Sequence, residues 1–92
     1  IKMGAEGVIS VIGQSHPKEF SEMVREERSG NSEKANKLHY SLYDFYEPLY
    51  NEGNPAGIKA TLKLLGICGD TLRPPLVNVS EKIVSQLKKL LK

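Results

Sequence analysis

Five consecutive residues near the start, Val8 to Ile12, constrain this chain more than any others. They are apolar except for Ser10, they are rich in β-branched side chains, and Gly4, Gly7 and Gly13 bracket them. A short apolar run opened and closed by glycine reads as one buried parallel strand. Nothing else in the 92 residues reads as a strand. A lone buried strand leaves its own N–H and C=O groups without partners, which costs free energy. The expectation is therefore a chain that supplies one strand to a sheet whose other strands lie elsewhere.

The rest of the chain carries helical spacing. Ser15-His16-Pro17 reads as a helix start, because proline lacks the N–H that the first turn cannot use. Phe20, Met23 and Val24 follow as an apolar face, with Glu22, Arg25, Glu26, Glu27 and Arg28 predicted to face outward. Ser29-Gly30-Asn31-Ser32 reads as a stop followed by a new start, with Gly30 at the C-terminal cap and Asn31 or Ser32 at the next N-cap. Ala35, Leu38, Leu42, Phe45 and Leu49 then recur at steps of three and four, a core-facing stripe. Tyr40, Tyr43, Tyr46 and Tyr50 lie beside that stripe, and Pro48 is expected to kink or end the helix. Asn54-Pro55 reads as N-cap and first turn of a third helix with Ile58, Leu62 and Leu65 on one side. Cys68 to Val79 has no period and two prolines, an ordered loop. Ser80 is the expected N-cap of a last helix with Ile83, Val84, Leu87, Leu90 and Leu91 on its apolar side. Lys88, Lys89 and Lys92 complement the dipole at its end.

Composition excludes several classes. A net charge of +2 is too small to point to nucleic acid or a membrane surface. No apolar run approaches the roughly 20 residues of a membrane span, and Ile1-Lys2-Met3-Gly4 opens no signal peptide. The single Cys68 cannot close an internal disulfide, which suits a reducing compartment. His16, His39 and Cys68 are not at metal-ligand spacing, so no metal site is expected. Gly4-x-x-Gly7 lacks the flanking basic residues of an RNA-binding Gly-x-x-Gly loop. Arg73 is read as a structural anchor or a surface ion pair, and the terminal lysines as a solvated helix end.

The run Gly4-Ala5-Glu6-Gly7-Val8-Ile9-Ser10-Val11 resembles the last barrel strand of the dihydrodipicolinate synthase family, the pyruvate-dependent lyases and aldolases. Asn54-Pro55 with Lys59, Leu65-Gly66-Ile67, and Thr71-Leu72-Arg73-Pro74-Pro75-Leu76 resemble later segments of that family, in order and along essentially the whole chain. Gly13-Gln14-Ser15 departs from the Asn-containing turn common among relatives.

The resemblance implies a mostly α fold class. The chain would be the C-terminal fragment of a (β/α)8 barrel lyase, with a three-helix appendage. Residues 1–30 would be the last β/α unit and residues 31–92 the helical domain. A whole barrel needs about 250 residues. Active sites of such barrels lie at the carboxyl ends of the strands, and the resemblance places Ile9 in the pyruvate pocket. It assigns no catalytic residue to this chain. The family's Schiff-base lysine stands on a strand, whereas Lys59 falls on a helix, and the tyrosine stripe does not match the family's proton-shuttling tyrosine. The intact enzyme would join pyruvate to aspartate semialdehyde in lysine biosynthesis through diaminopimelate. It would need no metal or organic cofactor, and it would work in the cytoplasm as a homotetramer. The fragment alone is expected to be inactive. The alternatives are another pyruvate-dependent lyase, such as an N-acetylneuraminate lyase, and a non-catalytic helical interaction module.

Overall fold

The computed structural model describes residues 1–91 and parts into two compact units, residues 1–43 and 44–92. Four α-helices and one short 3-10 turn make up its regular structure, and no strand is present among the described residues.

The first unit corrects the strand expectation. Residues 7–10 carry no regular hydrogen bonding, and the chain then winds into a 3-10 turn at Ile12–Gln14. Gln14 N–H donates to the Val11 carbonyl at 3.1 Å and His16 N–H to the Ile12 carbonyl at 2.9 Å. The physical reason is pairing: a strand exists only through inter-strand bonds, and no neighbouring strand is present here. Of the apolar run, Ile12 alone is fully buried.

Helix α1 (Pro17–Arg28) starts where the proline predicts, with Glu19 in its first turn and Arg25 and Arg28 in its last. No residue of α1 is fully buried; Phe20, Met23 and Val24 are half-buried. The acidic residues do not simply face water. Lys34 Nζ lies 3.0 Å from Glu22 and 3.1 Å from Glu26, and Ser32 Oγ donates to Glu27 Oε2 at 2.6 Å. The turn after α1 closes on glycine. Gly30 has φ +90°, where an L side chain is strained, and its N–H donates to the Glu27 carbonyl. Asn31 N–H reaches the Glu26 carbonyl at 2.8 Å, completing the paired-bond cap that favours glycine there. Asn31 Oδ1 then accepts from Lys34 N–H at 3.3 Å, the N-cap of the next helix.

Helix α2 (Ser32–Tyr50) runs through Pro48 and ends two residues beyond it. Pro48 stands in the last turn, so its missing N–H forfeits a single bond, and its ring is buried. Asn51 N–H still reaches the Glu47 carbonyl at 2.9 Å. The predicted stripe holds: Ala35, Leu42, Phe45 and Leu49 are buried, and Leu38 is half-buried.

In the second unit, α3 (Ala56–Leu64) begins one residue later than Asn54 implies, with Pro55 at the N-cap position. Gly57 N–H donates to the Gly53 carbonyl and Lys59 N–H to the Pro55 carbonyl, so backbone acceptors replace the Asn54 side chain. Its buried face is small: Ala56, Gly57, Ile58, Ala60 and Thr61, with Thr61 Oγ1 satisfied by the Gly57 carbonyl at 3.0 Å. Leu62 is half-buried and Leu65 is exposed, because the helix has ended before it. Small residues are required by a close approach. A Cβ on Gly57 would sit 2.7 Å from the Leu49 carbonyl carbon and 2.9 Å from Leu49 Cα, with the Leu49 oxygen nearer still.

Helix α4 (Glu81–Leu90) packs on α3 through Ile83 and Leu87, both fully buried, while Val84, Leu90 and Leu91 are half-buried. Ser80 occupies the N-cap position, yet its side chain makes no cap bond. Its N–H and Oγ–H both donate to the Glu52 carboxylate, at 2.6 and 2.7 Å. Lys92 lies outside the described residues.

Candidate functional site

The segment expected at the carboxyl end of the strand is Ile9 to Ile12 with the turn Gly13-Gln14-Ser15. Ile9, the one site residue placed from the sequence, is as exposed as in an extended peptide (104%). Its neighbour Val8 turns the other way and lines a groove of about 350 Å³ with Phe20, Met23, Val24 and Ala35. The structure thus sets Ile9 on an open face and gathers no other candidate around it.

The turn following Ile9 is well held. Ser10 Oγ accepts from Gly13 N–H at 3.0 Å. Ser15 Oγ lies 3.2 Å from the Ile12 carbonyl and 2.8 Å from His16 Nδ1. The hydroxyl donates to the Ile12 carbonyl, and the imidazole tautomer sets the direction of its bond with Nδ1. Sequence reading singled out the Gly13-Gln14-Ser15 turn but not the Ser10 and Ser15 bonds that fix it. The signal was there, since serine beside glycine favours local side-chain bonds to the backbone.

Lys59 is not poised as a nucleophile: its Nζ donates to the Thr71 carbonyl at 2.6 Å. The tyrosines divide. Tyr40 and Tyr43 are exposed and cluster edge-on with His39, ring centres 5.2 to 6.2 Å apart. Burial, with a smaller contribution from Tyr50, holds the Tyr46 hydroxyl above the ordinary phenol range. Arg73 is exposed, and its carbonyl accepts from Leu76 N–H at 3.0 Å. No cluster of three metal-ligating side chains occurs among the described residues. Nor is any described helix long and apolar enough to cross a membrane.

These elements, a glycine-bracketed apolar run, a helix and a three-helix tail, are shared along their full length with one class of enzyme. Residues 1–92 match the dihydrodipicolinate synthetase family, and the chain belongs to it. It is 45% identical over 91 residues to the 4-hydroxy-tetrahydrodipicolinate synthase of Azobacteroides pseudotrichonymphae, covering 99% of this chain and 31% of that protein. It is 44% identical over 87 residues to the enzyme of the same name from Flavobacterium psychrophilum, covering 95% of this chain and 30% of that protein. The crystal structure of dihydrodipicolinate synthase from Thermotoga maritima superposes with a TM-score of 0.91 at 42% identity, over 96% of this chain and 30% of that one. A structure described as a monomeric dihydrodipicolinate synthase variant matches equally, at TM-score 0.91 and 42% identity, over 96% of this chain and 29% of that one. The chain therefore spans about a third of the length of the relatives it matches.

Proposed function

We propose that this chain is the C-terminal part of a lyase that condenses pyruvate, held as a Schiff base, with aspartate semialdehyde in lysine biosynthesis. The observation that carries the reading is likeness at two levels, 45% sequence identity and a TM-score of 0.91, to enzymes of that name. In this reading residues 1–30 are the last β/α unit of the barrel and residues 31–92 the helical domain. The Val8 to Ile12 run becomes a strand once neighbouring strands pair with it. Ile9 then confines the small keto acid, with its side chain as an apolar wall.

A lysine amine contributed from outside these residues adds to the ketone of pyruvate and expels water. The resulting iminium draws electrons from the adjacent methyl group, which loses a proton and attacks the aldehyde. Such a lysine needs its pKa lowered by burial or a nearby cation. Lys59 is not that lysine in this reading, since its Nζ donates to the Thr71 carbonyl. The reaction needs no metal or organic cofactor. The intact protein works as a homotetramer in the cytoplasm, and residues 1–92 alone are inactive.

Borohydride reduction in the presence of pyruvate, followed by mass spectrometry, tests this. The full-length protein traps one pyruvyl adduct on a lysine upstream of Ile1, and residues 1–92 trap none. An adduct on Lys59 would overturn the assignment. In the full-length protein Ile9→Ala raises the KM for pyruvate about tenfold, as expected for losing part of an isoleucine's apolar contact, while the adduct still forms. An unchanged KM would remove Ile9 from the pocket.

A further inference from the structure

Helices α3 and α4 are joined by a segment that buries none of its side chains. From Leu65 to Ser80 every residue is exposed or half-exposed, and Ile67 and Val77 keep 63% and 76% of their surface. Polar contacts at the surface hold it instead. Lys59 Nζ donates to the Thr71 carbonyl, and Lys63 Nζ lies 3.3 Å from Asp70 Oδ2. Asn78 Nδ2 donates to the Asp70 carbonyl at 2.8 Å, tying the two ends of the segment to each other. The Ser80–Glu52 bonds anchor its far end. Beneath it is a cavity of about 430 Å³, lined by Ala60 and Leu64 of α3, Asp70, Asn78 and Val79 of the segment, and Val84 of α4.

We infer that residues 67–79 form a strap that opens as one piece, uncovering the α3–α4 cavity while the two helices stay packed. Stability is not uniform across a fold, and segments with few buried apolar contacts and exposed hydrogen bonds open first. The Lys63–Asp70 ion pair is exposed and contributes little, and the Lys59–Thr71 tether is a single exposed hydrogen bond, so both release readily. The helices are held differently, by Ile58, Thr61, Ile83 and Leu87, which are almost wholly buried. The Asn78–Asp70 bond is internal to the strap and survives its opening, which is why the piece moves as a unit. The hinge positions are its two ends, Gly66 and Ser80.

A buried reporter under the strap decides the matter. Ala60 is 6% exposed and lines the cavity. Ala60→Cys in a Cys68→Ser background, needed because Cys68 is exposed, is labelled with an aromatic disulfide reagent under native conditions. The expected labelling rate is insensitive to low urea, and Lys63→Met with Lys59→Met raises it about tenfold by removing two weak tethers, without changing helix content. A rate that climbs with urea along the slope of global unfolding would overturn the strap. So would labelling as fast as that of an unfolded peptide, since the cavity would then have no roof. If Ala60→Cys fails to fold, limited proteolysis within residues 67–79 decides instead: cleavage insensitive to low urea supports the strap, and cleavage that follows global unfolding overturns it.

Discussion

Replacing Gly57 by alanine separates helix propensity from packing, because the two predict opposite signs. In an exposed helix interior the exchange stabilises by up to about 1 kcal/mol. Here the new Cβ meets backbone: the Leu49 carbonyl carbon at 2.7 Å and Leu49 Cα at 2.9 Å. Carbon atoms settle at about 3.5–4.0 Å, so α3 must withdraw from the end of α2 by about 1 Å. The neighbour cannot rotate away, since it is main chain within a helix. Overpacking a tight interior costs about 1–3 kcal/mol, and a backbone obstacle belongs at the upper end. Setting about 3 against about 1 leaves a net loss of about 2 kcal/mol. For a domain of this size that lowers Tm by roughly 8–16 °C. Thermal unfolding followed by circular dichroism measures it. Gly69→Ala is the control: nothing lies within 4 Å of its Cβ position, and its change stays within about 0.5 kcal/mol. A Gly57→Ala protein as stable as the parent would refute the close-approach argument.

The remaining predictions concern the core and two polar clamps. Leu87→Ala removes a fully buried side chain of α4 and lowers stability by about 2–5 kcal/mol, read as a drop in the urea midpoint at unchanged slope. Its bonds from Ser80, backbone first, hold the Glu52 carboxyl below its ordinary value of 4.5. The unfolded chain therefore takes up a proton before the folded one, and the contribution is present above pH 4.5 and fades as pH falls through the lower folded value. Glu52→Gln accordingly lowers Tm at pH 7, and the gap to the parent closes in acid; a gap constant with pH would exclude the carboxylate. Lys34 is raised above its ordinary value by Glu22 and then Glu26, so its contribution holds below pH 10.5 and is lost only in stronger alkali. Lys34→Met lowers Tm, and the difference narrows in about 1 M salt, where exposed charges are screened within about 3 Å.

Helices were the legible part of this sequence. Each announces itself by local rules: Pro17 at the first turn of α1, Gly30 and Asn31 between α1 and α2, and the Ala35 to Leu49 stripe. What the sequence did not show depends on partners elsewhere in the chain. Ser80 takes the N-cap position of α4 as expected, but its N–H and Oγ–H are both donated to Glu52, 28 residues away. Ile58, Leu62 and Leu65 read as the buried stripe of α3. Ile58 is buried as expected, but the rest of the buried face is made of small residues on the first turns, where Leu49 comes so close to Gly57.

The candidate site follows the same logic one level up. Val8 to Ile12 has strand composition, and composition describes what a segment buries when partners exist, not whether they do. Val8 is 57% exposed and Ile9 wholly so, although both are residues that strands favour. Paired on both edges, as in a parallel barrel, each would leave water, and burying an isoleucine side chain contributes about 1.5–3 kcal/mol. The same pairing would satisfy the backbone of residues 7–10. The carboxyl end of that strand would then be Val11 and Ile12, running directly into the turn already fixed by Ser10, Ser15 and the 3-10 bonds. Of the candidate site, residues 1–92 hold only the turn in place, and a strand presenting Ile9 would depend on its neighbours. A substitution at Ser10 therefore acts on the turn in residues 1–92 alone, whereas one at Ile9 becomes visible only in the full-length protein.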